Sequence, residues 1–324
     1  MPMDAVASGF ASKLEVLTDL EPVVKQFMEK HESKRELWFP SEFLPAGEAD
    51  RDIQRIEDLR DRARGLPDAA RVALTINILT EEGLPHFHRL IAETLGSRTF
   101  WNLWNTLWTA EEDRHGNILR DYVRDSRLLN FQELERLQFD YLRSGFNPDW
   151  GKDPYKLFIY TSCQEKATQI SHSNTGKLIA EQEPLLYAIT QKIAQDEAKH
   201  YSFYLNVFKE ILERDPNSAL QSASSIMPAI DMPGISIVNF NDYADVIRRA
   251  GIYGPRDYKK IVERLIAAWN IEVMTYLNDI GRKAQEKIMS IPSRLEKVAE
   301  YIESRSKAKS FRFEVLYGRI LELA

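Results

Sequence analysis

A single cysteine, Cys163, in a chain of 324 residues leaves nothing to form an internal disulfide and fits a reducing compartment. Long apolar runs are also missing. No stretch approaches the roughly 20 consecutive apolar residues that span a bilayer, so membrane insertion is not expected. The first fifteen residues have neither the basic start and apolar run of a signal peptide nor the Arg- and Ser-rich character of a transit peptide, so a cytoplasmic location is expected. Positive charge is in deficit: a net charge of −6 argues against nucleic acid as a partner. Low-complexity tracts and long linkers are absent, and residues 1–324 are therefore read as one helical domain. What remains is 44% hydrophobic and 28% charged residues, an ordinary globular composition that rules out wholesale disorder.

Helical periodicity dominates. Apolar residues recur at three and four over 15–32, from Leu14 through Phe27, before Pro40 and Pro45 break the chain. Asp68, just after Pro67, is placed to cap a long helix reaching Gly96. Further helices are expected near 99–127, 132–143, 155–181 and 184–213, with a Gly/Pro-rich loop over 144–154. Residues 215–241, interrupted by Pro216, Pro228, Pro233 and Gly234, read as an irregular connection with short helices. Helical pattern returns at 242–250 and from 255 to 272. Pro292 is read as separating the last helices from a C-terminal tail whose only strand-like stretch is Phe311 to Leu316.

Chemistry concentrates at two of the six histidines. His115 and His200 each follow a glutamate by three positions, Glu112 and Glu197, whereas His31, His86, His88 and His172 have no acidic residue at that spacing. Residues three apart share one helix face, so each pair can bind one metal ion or bind one and bridge to another. Chance alone gives about one such pair, because acidic residues make up 49 of the 324. The context is more telling. The segments read Glu111-Glu-Asp-Arg-His115 and Asp196-Glu-Ala-Lys-His200, each with an acid before the glutamate and a base before the histidine. Glu81 lies 31 residues before Glu112, and Glu165 lies 32 before Glu197, so each half reads as one helix giving a Glu and its antiparallel neighbour giving Glu-x-x-His.

That is the ligand set of ferritin-like di-iron carboxylate bundles. Four carboxylates converging in a bundle core repel one another and lose their hydration, and two divalent cations cancel that charge. Mixed carboxylate and imidazole donors suit iron or manganese better than zinc, and iron is the one that activates dioxygen. The fold expected is all-α, a ferritin-like four-helix-bundle core with additional flanking helices. Two nearby residues add detail. Pro85, four after Glu81, removes the amide that would bond the Glu81 carbonyl and should distort the helix there. Thr168, three after Glu165, shares its face. Its hydroxyl can line the dioxygen side of the metals or bond back to its own helix.

At these residues the sequence resembles the soluble acyl-carrier-protein desaturases. The likeness is carried by Leu79-Thr-Glu-Glu-Gly-Leu-Pro85, Trp108-Thr-Ala-Glu-Glu-Asp-Arg-His-Gly116, Phe158-Ile-Tyr-Thr-Ser-Cys-Gln-Glu-Lys-Ala-Thr168, Ile170-Ser-His-Ser-Asn-Thr175 and Asp196-Glu-Ala-Lys-His200, and extends from about Leu37 to the C-terminal helices. The resemblance implies iron ligands at Glu81, Glu112, His115, Glu165, Glu197 and His200, and a dioxygen-side threonine at Thr168. It also implies a tryptophan near the surface, Trp38, that passes electrons inward through Asp196 and His115. It further implies two iron ions as cofactor, an acyl carrier protein bearing the substrate chain, a ferredoxin-type electron donor, dioxygen as oxidant and a homodimer. Gly83, Cys163 and Ala198 depart from the family's usual alanine, aromatic and basic residue, and none of these is a ligand.

An acidic carrier protein gives basic clusters a purpose. Residues 282–319 hold ten Lys/Arg against five Glu, and Lys34, Arg35, Lys199, Arg248 and Arg249 are candidates for docking. Alternatives remain open from the sequence: a related di-iron oxygenase such as an acyl hydroxylase or a ribonucleotide reductase small subunit, or a non-catalytic ferritin-like iron store. Acyl chain length and double-bond position are not legible.

Overall fold

The computed structural model describes residues 13–45, 49–96, 99–150, 152–230 and 233–323. Helices α1 (Glu21–Lys34), α2 (Ala49–Arg64), α3 (Asp68–Glu81), α4 (Leu84–Leu95), α5 (Phe100–Ser126) and α6 (Phe131–Ser144) are followed by the long pair α7 (Pro154–Ile179) and α8 (Pro184–Arg214). Then come α9 (Pro216–Ile226), α10 (Phe240–Arg249), α11 (Pro255–Ala268), α12 (Asp279–Met289), α13 (Ile291–Ser304) and a hairpin of β1 (Lys309–Phe313) and β2 (Arg319–Leu323). The hairpin is antiparallel, with Lys309 opposite Leu323 and Phe313 opposite Arg319.

Four of these helices, α3, α5, α7 and α8, make the central bundle. Two of their starts carry a side-chain cap. Asp153 caps α7 by accepting from the Tyr155 amide, and Glu183 caps α8 by accepting from the Leu185 amide, each with proline in the first turn. At 27, 26 and 31 residues, α5, α7 and α8 are each about 40 Å long or slightly more. The buried apolar residues divide into two clusters. One holds Trp101, Trp104 and Trp108 of α5, Phe158 of α7 and Phe203, Tyr204 and Phe208 of α8. The other holds Ile78 of α3, Ile118 to Val123 of α5, Ile179 of α7 and Leu186 to Ile193 of α8. Each long helix thus passes from one cluster to the other, α8 in the opposite sense to α5 and α7. Between the clusters lies a buried polar layer, where the acidic residues and histidines sit.

The helix expected from Asp68 to Gly96 is in fact two. It breaks at Glu82 and Gly83, and Pro85 sits in the first turn of α4, where a missing amide costs nothing. Gly83 is required there by packing: a Cβ would lie 2.8 Å from the Tyr141 ring and 2.9 Å from the Thr80 carbonyl. Asp68 is the first helical residue of α3, while Pro67 stands at the cap position without a side-chain bond. Similarly, Pro292 begins a helix, α13, where a separator was expected. Residues 216–226 form a regular helix, and the tail folds into a second strand that pairs with the first.

Candidate metal centre

The bundle brings together all six residues singled out by their spacing. Glu81 is the last residue of α3, Glu112 and His115 lie midway along α5, Glu165 midway along α7, and Glu197 and His200 midway along α8. They fall into two overlapping groups of four: Glu81, Glu112, His115 and Glu197, and Glu112, Glu165, Glu197 and His200. In each group the donor atoms lie within 4.8 Å of one another. Glu112 and Glu197 belong to both groups and so stand between two adjacent positions. His115 Nδ1 is 3.3 Å from both Glu112 Oε2 and Glu197 Oε1, and 3.7 Å from Glu81 Oε2. His200 Nδ1 is 2.7 Å from Glu112 Oε1 and 3.7 Å from Glu165 Oε2.

This layer is buried and electrically strained. Glu112 Oε1, Glu197 Oε1, His115 Nδ1 and His200 Nδ1 are buried without a hydrogen-bond partner, an arrangement proteins rarely tolerate. Burial pushes the Glu197 carboxyl well above its usual range, and the charges of Glu112 and Glu165 push it further. Glu165 is raised by burial and by Glu112. Burial acts the same way on Glu112, but His115 and His200 outweigh it and hold that carboxyl low. Burial opposes protonation of both imidazoles, yet Glu112 and Asp196 raise His115 and the carboxylates Glu111, Glu112 and Glu165 raise His200. His115, His200, Glu165 and Glu197 are thereby all pushed toward their protonated forms. Four carboxylates sharing two imidazoles, with bare donor atoms facing one another, fit a pair of divalent ions, whose binding would displace those protons.

Around the six lies a ring of buried partners, most of which the sequence did not reveal. His115 Nε2 is 3.6 Å from Asp196 Oδ2. Asp196 also accepts from Trp38 Nε1 at 2.7 Å, Arg114 Nη2 at 3.3 Å and Lys199 Nζ at 2.9 Å. Trp38 stacks on His115 with centroids 6.1 Å apart and is itself only 1% exposed. Its neighbours Leu37 and Phe39 are half-exposed, at 53% and 49%. On the other side, His200 Nε2 is 2.9 Å from Glu111 Oε2, and Glu111 is also bonded by His31 and Arg35. Glu81 Oε1 is 2.7 Å from His172 Nε2, and Glu165 Oε1 accepts from Trp108 Nε1 at 3.2 Å. His31 and His172 lack the Glu-x-x-His spacing, so nothing local marked them. The acid preceding each bundle glutamate was the one available signal for Glu111: a helix turns about 100° per residue, which aims Glu111 and Asp196 toward the neighbouring helix.

A cavity of about 560 Å³ reaches the polar layer. Glu81, Glu112, Glu197 and Thr168 line its inner part, and Leu84, Phe87 and Trp108 supply apolar wall. Residues of α10 and α13, among them Phe240, Arg248, Leu295 and Val298, also line it, and Val298, 47% exposed, marks an opening to the surface. The Thr168 hydroxyl donates to the Gln164 carbonyl at 2.7 Å, the backbone-bonded alternative for this residue, while remaining on the cavity wall. The basic residues expected to dock a partner are differently placed. Arg35 and Lys199 are committed to Glu111 and Asp196, whereas Arg248 pairs with Asp245 beside the cavity.

A family model described as fatty acid desaturase matches residues 12–317. Stearoyl-[acyl-carrier-protein] 9-desaturase 5, chloroplastic, of Arabidopsis thaliana is 34% identical over 321 residues, covering 94% of this chain and 78% of that protein. The corresponding chloroplastic enzyme of Gossypium hirsutum is 34% identical over 310 residues, covering 91% and 75%. Among solved structures, one described as an acyl-ACP desaturase, DesA2 of Mycobacterium tuberculosis, superposes with a TM-score of 0.61 at 20% identity, over 83% of this chain and 99% of that one. No helix among the described residues is long and apolar enough to cross a membrane.

Proposed function

This chain belongs to the fatty acid desaturase family, and from that premise we propose that it is an acyl-[acyl-carrier-protein] desaturase, an oxidoreductase of fatty acid biosynthesis that inserts a cis double bond into a carrier-bound acyl chain. The observation that carries this reading is the pair of four-residue donor groups, sharing Glu112 and Glu197, at the inner end of a largely apolar cavity. Glu81 and His115 would hold one iron ion and Glu165 and His200 the other, with Glu112 and Glu197 between them. The overall change consumes one CH2–CH2 unit, one dioxygen, two electrons and two protons, and yields one CH=CH and two waters. An unactivated C–H bond offers no acid or base handle, so the two ions supply the dioxygen activation.

The protein's own side chains do the rest. Leu84, Phe87 and Trp108 give the acyl chain an apolar wall and exclude water beside the polar layer. The size of the cavity falls within the range of pockets that enclose most of a small ligand. Thr168 presents its side chain to the same space. Trp38, Asp196 and His115 form a continuous contact from the half-exposed Leu37 and Phe39 inward, a route for electrons from a ferredoxin-type donor. Arg248, at the outer part of the cavity, is a docking residue for the acidic carrier, and that contact should weaken with salt. A homodimer and a cytoplasmic location complete the reading; the named relatives are chloroplastic.

The test is to supply iron-loaded protein with acyl carrier protein substrates of several chain lengths, ferredoxin, a reductant and dioxygen, and to locate any alkene by mass spectrometry. A cis alkene at one position is expected. A hydroxylated chain, or no change in any carrier-bound substrate, would overturn the reading.

A further inference from the structure

We propose that His31, on a helix outside the four that supply the metal donors, is a positioning residue: acting through Glu111, it holds the imidazole of His200 in one tautomer and one orientation. The inference rests on the metal centre proposed above and extends it to α1.

Glu111 lies between two imidazoles. Its Oε2 is 2.8 Å from His31 Nε2 and 2.9 Å from His200 Nε2, while its Oε1 accepts from Arg35 Nη1 at 2.7 Å. Arg35 occupies Oε1 as a donor, so both imidazoles converge on Oε2, and a carboxylate oxygen accepts. Both Nε2 atoms are therefore donors. With Nε2 held as the donor to Glu111, it is Nδ1 of His200 that faces Glu112 and Glu165 and would be free to bind an ion. His31 is buried at 7% exposure and is itself fixed on two sides. Its ring stacks on that of His200, centroids 5.7 Å apart at 25°, and meets Trp104 edge-on at 5.2 Å. Without His31, Glu111 keeps only Arg35 on the outer side and is free to swing toward it, away from His200.

His31, Glu111 and His200 lie close enough together to hold a cation on their own. The guanidinium already bonded to Glu111 speaks against that, and the arrangement is a hydrogen-bonded clamp. The other half of the centre has no counterpart to His31, because Asp196 is held by Trp38, Arg114 and Lys199. Loss of His31 should therefore be felt at one metal position and spare the other.

The experiment titrates the metal-free, full-length protein with cobalt(II), following the ion's visible absorption in competition with a chelator. The native chain is expected to take up two ions. His31→Leu should bind one ion with native affinity and the other 10- to 100-fold more weakly, the usual cost of removing a partner that orients a ligand. His31→Gln places an amide nitrogen near the position of Nε2 and should recover the second affinity to within a few-fold. Should His31→Leu not fold, Arg35→Met, at the outer edge of the clamp, is expected to weaken the same step. Equal weakening of both steps, native binding by His31→Leu, or no recovery in His31→Gln would each overturn the clamp. A native chain that takes up no cobalt would overturn the metal centre itself and the clamp with it, so the two failures are told apart.

Discussion

The two halves of the polar layer use the same parts in different ways. In both, a bundle glutamate is preceded by an acid that reaches across to the histidine of the opposite helix: Glu111 of α5 to His200 of α8, and Asp196 of α8 to His115 of α5. The contact is close in the first half, 2.9 Å, and looser in the second, 3.6 Å. The backing differs too. Glu111 leans on a second imidazole and an arginine, whereas Asp196 leans on an indole, a guanidinium and an ammonium. One half is built to hold its histidine still. The other sets its histidine against a buried indole whose chain neighbours, Leu37 and Phe39, are half-exposed. Near-symmetry of donors thus coexists with a division of labour in what surrounds them.

The sharpest way to break this comparison is to remove what the halves share. Glu112→Gln or Glu197→Gln should cost both ions, and elemental analysis should find well below one metal per chain. Glu165→Gln should cost only the ion of the His200 half. Loss of both ions in that variant would mean the halves do not act separately. Next in size are the reaching acids: Glu111→Gln and Asp196→Asn should each weaken one metal position by about 10- to 100-fold, with Glu111 toward the upper end because its contact is shorter. Competition titration with a chelator measures both. Trp38→Phe keeps the ring that stacks on His115 but loses the bond to Asp196. It should retain both metals while slowing their reduction by an external donor several-fold, followed by stopped-flow absorbance. Smallest are two glycines. A Cβ at Gly176 of α7 would overlap the Thr190 hydroxyl and lie 2.8 Å from Gln191 Nε2, both on α8. Gly176→Ala should therefore cost about 1–3 kcal/mol in urea unfolding. At Gly116 the nearest atom is the flexible Glu82 Cγ, 3.3 Å away, and Gly116→Ala should cost less than Gly176→Ala.

Much of this was legible before any coordinates. Two Glu-x-x-His segments, each preceded by a glutamate one helix earlier, sufficed to bring six side chains to one layer, because helical periodicity fixes which residues share a face. Boundaries of the long helices were close to expectation, since Thr99, Asp153 and Glu183 stand at the starts of α5, α7 and α8, the last two followed directly by proline. The break after Glu81 was read only as a distortion, because a proline four residues on is compatible with either a kink or a fresh start. Packing against Tyr141 decided it. His31, Glu111 and His172 escaped assignment for a different reason. Their partners lie 80, 89 and 91 residues away in the chain, and a contact between helices leaves no local pattern. The bonds of Arg35 and Lys199 to the buried Glu111 and Asp196 were hidden for the same cause.

Because α3 ends at Glu81 while α7 runs on well past Glu165, the two outer carboxylates sit in unlike electric fields. The last turn of a helix concentrates partial negative charge from its carbonyl groups, and a cation within reach gains about 0.3–1 kcal/mol from it. An ion held by Glu81 would feel that attraction, partly offset by the positive start of α4 at Leu84, and an ion held by Glu165, in the middle of an unbroken helix, would not. The short gap at Glu82 and Gly83 therefore biases the order of filling: at limiting metal, the position flanked by Glu81 and His115 should load ahead of its neighbour.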